Sequence, residues 1–143
     1  MKTSTVMVVI AAVLLGGGLI WHARGGVPCY KAEVADGYRG VILNLPRKDL
    51  AWVRKGDFID VISVFDAVMK GDRKEKIGAT LLQNVKVIGV NARKGTIVLL
   101  VNINEAQYAA LATQQGKVFL SLRAKGDKNL KPVEIASYRK LIK

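Results

Sequence analysis

The apolar and polar positions change period along the chain, and the changes mark its elements. YRGVILNL at residues 38–45 sets Val41, Leu43 and Leu45 on one side and Ile42 and Asn44 on the other, which predicts a strand. FIDVISVF at 58–65 is apolar on both sides except at Asp60 and Ser63, and its β-branched and aromatic content predicts a buried strand. TLLQNVKVIGV at 80–90 predicts a long strand, bent or bulged near Gln83 and Asn84. TIVLLV at 96–101 predicts the most apolar strand. KVFLSLR at 117–123 alternates, with Val118, Leu120 and Leu122 inward and Lys117, Ser121 and Arg123 outward.

Residues 102–116, NINEAQYAALATQQG, shift to a helical pattern. Asn104 is the candidate N-cap, with Gln107 three residues on. Ala106, Ala109, Ala110 and Ala112 favour helix, Tyr108, Leu111 and Ala112 share a face, and Gly116 is the stop. PRKDLAWV at 46–53 predicts a turn or a single helical turn that packs Trp52, and RKG at 54–56 a turn. DAVMKGDRKEKIG at 66–78 reads as a loop or a mobile hairpin tip, and NARKG at 91–95 as a reversal with Gly95 available for positive φ. The expected body is α+β, mostly β, with one helix inserted between the last two strands.

The amino end differs. Val6 to Trp21 carries no charge. As a helix this run reaches about 24 Å, and Thr3 to Thr5 extend it to about 28 Å, close to a hydrocarbon core of ~30 Å. Trp21 stands where an interfacial aromatic would, and Arg24 follows. An uncleaved transmembrane helix is the expectation; a cleaved leader, with Gly16 and Gly18 as its small residues, is the rival. The expected division is 1–24 anchor, 25–37 linker, 38–124 β-rich domain and 125–143 basic tail, the last loosely held or a partner-binding arm.

Lys and Arg number 23 against 11 Asp and Glu, a net charge of +12. Such a charge favours anionic partners, lipid headgroups or an anionic envelope polymer. The cations are spread through the chain, aromatics are few and no nucleic-acid signature occurs, so no nucleic-acid partner is expected. The single histidine, His22, lies at the membrane edge, which excludes the usual nucleophile-base pairings. Cys29 has no internal disulfide partner; an exposed or half-buried thiol beside the membrane and a bridge between two chains are its alternatives. No zinc cluster and no phosphate-cradling glycine motif is present. The expectation is a protein that is not an enzyme and holds no metal or cofactor.

GDFIDV at 56–61 holds the one pair of carboxylates that invites a catalytic reading. In a strand, residues three apart project to opposite faces, so Asp57 and Asp60 need not converge. The expected roles are structural. Gly56 and Asp57 make the turn, and Asp60 accepts hydrogen bonds or pairs with a nearby Lys or Arg.

Three ordered segments resemble the Flp (tight-adherence) pilus assembly family CpaB/RcpC. Gly56, Asp57, Asp60 and Val61 match its PGDxVDV-like turn and strand, with Lys55 in place of proline; Thr80 to Val87 match its TLLQNV strand; and Ala106, Leu111, Ala112, Gly116, Leu120, Leu122 and Arg123 match its last segment. The resemblance spans about residues 38–124. It implies structural roles for Gly56, Asp57, Asp60, Gln83, Asn84, Gly116 and Arg123. It also implies an inner-membrane anchor, inserted through residues 3–21, with the body in the periplasm. The implied role is that of a non-enzymatic scaffold in a Flp/Tad pilus or related secretion machine, partnered by a secretin or an inner-membrane platform. A homo-oligomer is compatible with such a part. The family usually carries a SAF module where this chain has only residues 22–37, so the chain resembles a reduced version. An envelope polysaccharide or peptidoglycan binding module is the alternative reading.

Overall fold

The computed structural model describes residues 33–141. The expected anchor at 1–24, with His22 and Cys29, lies outside these residues. Among the described residues no helix is long and apolar enough to cross a membrane.

The apolar runs form β1 (Tyr38–Asn44), β2 (Phe58–Met69), β3 (Arg73–Asn91), β4 (Thr96–Asn102) and β5 (Gly116–Leu122). A short β6 (Ala136–Ser137) follows near the carboxyl end. Helix α1 (Ile103–Gln115) lies between β4 and β5, and a short α2 (Tyr138–Leu141) follows β6. The strands make one antiparallel sheet in the order β1-β4-β3-β2-β5, with β6 on β3. The mostly-β architecture with an inserted helix is therefore as the periodicity predicts.

One face of the sheet carries the core. Leu43, Leu45, Ile59, Val61, Val85, Val87, Ile97, Leu99 and Val101 pack there with Ala109 of α1. Ala109 and Ala112 are the buried residues of the helix, and their small side chains let its backbone lie close to the sheet. Of the face shared by Tyr108, Leu111 and Ala112, only Ala112 is buried; Tyr108 and Leu111 are exposed. The N-cap is Asn102, not Asn104: Asn102 Oδ1 accepts the Glu105 N–H at 2.9 Å, and Glu105 Oε2 accepts the Asn102 N–H at 2.8 Å. This reciprocal box satisfies two donors that the first turn leaves open.

Trp52 corrects a second expectation. Arg47–Leu50 form a 3-10 turn, and the Val53 N–H donates to the Leu50 carbonyl at 3.3 Å. Residues three apart share a side in that geometry, so Leu50 and Val53 turn inward together. Trp52 stands 80% exposed.

Of the two readings of residues 66–78, a loop or a hairpin tip, the structure has the hairpin tip. β2 and β3 stay paired from Asp66 with Lys76 to Met69 with Arg73, and only Lys70, Gly71 and Asp72 make the reversal. A two-stranded ribbon completes its backbone hydrogen bonds whatever the polarity of its side chains, so a charged segment extends the hairpin.

The tail is not loosely held. β3 runs on beyond the end of β4, which leaves part of its edge open, and Ala136–Ser137 pair there with Ile77–Gly78. An open edge is a template for added strand, and here the chain's own tail occupies it.

Candidate functional site

β2 and β3 are out of step at Asp60. Ile59 pairs with Val85 and Val61 with Leu82, so Gln83 and Asn84 together oppose Asp60. This is the bulge that the sequence places near Gln83 and Asn84. A bulge leaves an extra backbone N–H without a strand partner. Asn84 takes up a positive φ of 57°, and its N–H donates to Asp60 Oδ1 at 2.8 Å.

The same oxygen accepts from Arg123 Nη1 at 2.8 Å, and Oδ2 accepts from that nitrogen at 3.1 Å. Arg123 follows the last residue of β5, and β5 lies beside β2 with Ser121 opposite Asp60. Its side chain is only 7% exposed, which corrects the outward placement read from the alternation. Leu122, expected inward, is 47% exposed. Both reversals follow from position: β5 is an edge strand, and the tail folds over its end.

The other half of the guanidinium holds the tail. Arg123 Nη2 donates to Asp127 Oδ2 at 3.0 Å and to the Asn129 carbonyl, and Nε donates to the Asp127 carbonyl at 3.3 Å. Asp127 Oδ1 accepts the Asn129 N–H at 3.0 Å. Gln83 completes the clasp from the bulge. Its Nε2 donates to the Lys131 carbonyl at 2.8 Å, and its Oε1 accepts the Lys131 N–H at 3.2 Å. The side-chain amide thus continues the strand ladder by one rung.

Asp60 raises the Arg123 guanidinium above its ordinary pKa, first through their hydrogen bond, with burial acting in the opposite sense. The Asn129 N–H, and then Arg123, hold the Asp127 carboxyl below its ordinary value. Hydrogen bonds to the ionised form are the cause in both cases.

Gly56 and Asp57 do different work. The Arg54 N–H donates to Asp57 Oδ2 at 2.7 Å, closing a turn in which Gly56 has φ +94°. The turn docks on β3: the Gly56 N–H donates to the Val87 carbonyl at 2.8 Å, and the Val87 N–H to the Asp57 carbonyl at 2.9 Å. Asp57 and Asp60 therefore engage different partners. Gly116 opens β5 against β2, where a Cβ would lie 2.0 Å from the Val64 carbonyl oxygen.

The structure brings Asp60, Gln83, Asn84 and Arg123 into one hydrogen-bonded cluster and leaves Asp57, Gly56 and Gly116 in separate backbone roles. The strand and helix periods single out neither Asp127 nor the Lys131 backbone. The local signal for the first is Asp127-Lys128-Asn129, a composition suited to a turn closed by its own Asp side chain. Among the described residues no group of three or more His, Cys, Asp or Glu is placed to hold a metal ion. With both Asp60 oxygens and the three Arg123 guanidinium nitrogens occupied, the cluster is suited to fixing the relative positions of β2, β3, β5 and the tail. No family model, curated protein or solved structure matches the chain.

Proposed function

We propose that this chain is a membrane-anchored, non-enzymatic scaffold of a Flp/Tad pilus or related secretion machine, held in the inner membrane by residues 3–21 with its body in the periplasm. The observation that supports the reading is the convergence of the resembling segments. GDFIDV contributes Asp60, TLLQNV contributes Gln83 and Asn84, and the segment ending in LSLR contributes Arg123, and these four form one clasp. Short matches that meet in space fit a single structural unit. Trp52, Ile42 and Tyr108 are exposed, and they offer large apolar side chains to a protein partner.

The test is a crosslinked affinity capture of the full chain from native membranes, with the captured proteins identified by mass. Recovery of a secretin, a platform protein or an assembly ATPase is expected. Repeated recovery of the chain alone, in mild detergent at low salt, would count against a scaffold. The net charge of +12 keeps envelope-polymer binding as a second reading. That reading requires sedimentation with isolated peptidoglycan that falls as salt is raised.

A further inference from the structure

The β2–β3 hairpin carries a surface that neither the core nor the clasp uses. Phe65 pairs with Gly116, the first residue of β5. Beyond it, the pairs Asp66–Lys76, Ala67–Glu75, Val68–Lys74 and Met69–Arg73 overhang the sheet, by about 13 Å at ~3.3 Å per residue. At this tip Val68 is 66% exposed and Met69 45%. The tail delivers Tyr138 and Leu141, also exposed, to the same region. A shallow cavity between hairpin and tail is lined by Met69, Lys70, Arg73, Lys74, Glu75, Lys76, Tyr138 and Arg139.

The ionic partners are uneven. Lys76 pairs with Asp66 at 2.8 Å, and Lys140 with Glu134 at 3.1 Å. Lys70, Arg73, Lys74 and Arg139 form no ion pair among the described residues. The remaining acids are Asp72 and Glu75, and Glu75 already accepts the Arg139 N–H at 3.3 Å. Exposed apolar side chains interleaved with cations form the kind of surface that suits the boundary of an anionic bilayer: the apolar groups enter the headgroup layer and the cations meet phosphates. A water-facing tip has no such use for four large apolar side chains.

We propose that the hairpin tip docks on an anionic phospholipid surface, with Val68, Met69, Tyr138 and Leu141 as apolar contacts and Lys70, Arg73, Lys74 and Arg139 as phosphate partners. The inference rests on the anchored reading above, because an anchored chain keeps its body beside a bilayer.

The test uses the full chain with Cys29→Ser and an environment-sensitive fluorophore at Val68→Cys, reconstituted into phosphatidylcholine vesicles with or without phosphatidylglycerol. Flotation reads the anchor; emission and quenching by spin-labelled lipid read the tip. The chain is expected to float with both vesicles, while the probe shifts to the blue and is quenched only where phosphatidylglycerol is present. The shift is lost in Lys70→Glu/Arg73→Glu/Lys74→Glu at unchanged Tm, and a probe at Lys94→Cys, at the other end of the sheet, stays in water throughout. Flotation with a probe that stays in water, responds equally to both vesicles, or shifts only on added peptidoglycan overturns the docking proposal and leaves the anchor standing. Failure to float with either vesicle overturns the anchored reading and the proposal together.

Discussion

Asp60 and Arg123, 63 positions apart in sequence, meet at 2.8 Å, and the Asp60 oxygen that takes the Arg123 proton also takes the N–H that the β3 bulge leaves without a strand partner. One carboxylate thus joins a local irregularity of β3 to the end of β5. Arg123 extends the link to Asp127 and Asn129.

Arg123→Met should release the tail before it unfolds the sheet. The substitution keeps most of the apolar stem and removes every donor that holds residues 127–129. Hydrogen exchange at Asn129 and Lys131 should rise by more than tenfold, a factor that corresponds to about 1.4 kcal/mol of local opening. Amides of β4 should change little. Unchanged exchange in the tail would show that Gln83 and the Ala136–Ser137 pairing hold it without Arg123.

Acid should act on the same segment. The Asp127 carboxyl titrates below its ordinary value in the folded chain, so the unfolded state binds its proton first as pH falls. Its contribution is complete above the ordinary carboxylate pKa of about 3.9 and is lost as pH falls from there through the lowered folded value. Tail protection, taken relative to the intrinsic exchange rate at each pH, should fall in that window, and Asp127→Asn should flatten the dependence. A tail whose protection is equal at neutral pH and below pH ~3 would contradict this assignment.

The legibility of the sequence divided along physical lines. Period-two alternation located β1 and β5, and unbroken β-branched runs located β2 and β4, because burial constrains side-chain type at each position. The Gln83-Asn84 bulge was readable from polar residues interrupting an apolar strand. At 66–78 the charged composition left loop and hairpin tip both open, because backbone pairing places no demand on the polarity of exposed side chains. Arg123 looked outward from its own strand, and only the returning tail, far along the chain, covers it. Asn102 and Asn104 both suit an N-cap, each with a Glu or Gln three residues on, and the observed helix start at Ile103 decides between them.

That choice can be measured. Asn102→Ala should cost about 1 kcal/mol, since it removes the acceptor for the Glu105 N–H and half of the reciprocal pair. Asn104→Ala lies inside the helix and should be neutral or slightly stabilising, as alanine has the higher helix propensity. Urea unfolding of the two variants separates the assignments, and equal losses would place the cap elsewhere.

Two glycines make a similar pair. At Gly116 a Cβ would meet the Val64 carbonyl oxygen at 2.0 Å, a contact that only a shift of β5 from β2 can relieve. At Gly78 the nearest atom would be 3.8 Å away, an ordinary distance. Gly116→Ala should lower the thermal midpoint strongly and loosen the β2–β5 pairing, by about 1–3 kcal/mol or more. Gly78→Ala should be tolerated within about 0.5 kcal/mol. Comparable midpoints for the two would mean that β5 yields without cost.

Leu50 and Trp52 reverse the usual ranking of side-chain size. Leu50 is 1% exposed at the base of the core, while Trp52, two positions on, is 80% exposed. Leu50→Ala opens a cavity and should cost about 2–5 kcal/mol. Trp52→Ala removes the larger side chain, yet should change stability by no more than about 0.5 kcal/mol, because folding buries little of it. Chemical unfolding of both variants tests the contrast. In a scaffold the same Trp52→Ala change should lower partner recovery from crosslinked membranes while the midpoint holds, since an exposed tryptophan contributes to association and not to the core. A large loss of stability at Trp52 would mean that the indole packs against the body in solution, and the partner surface would then have to lie elsewhere.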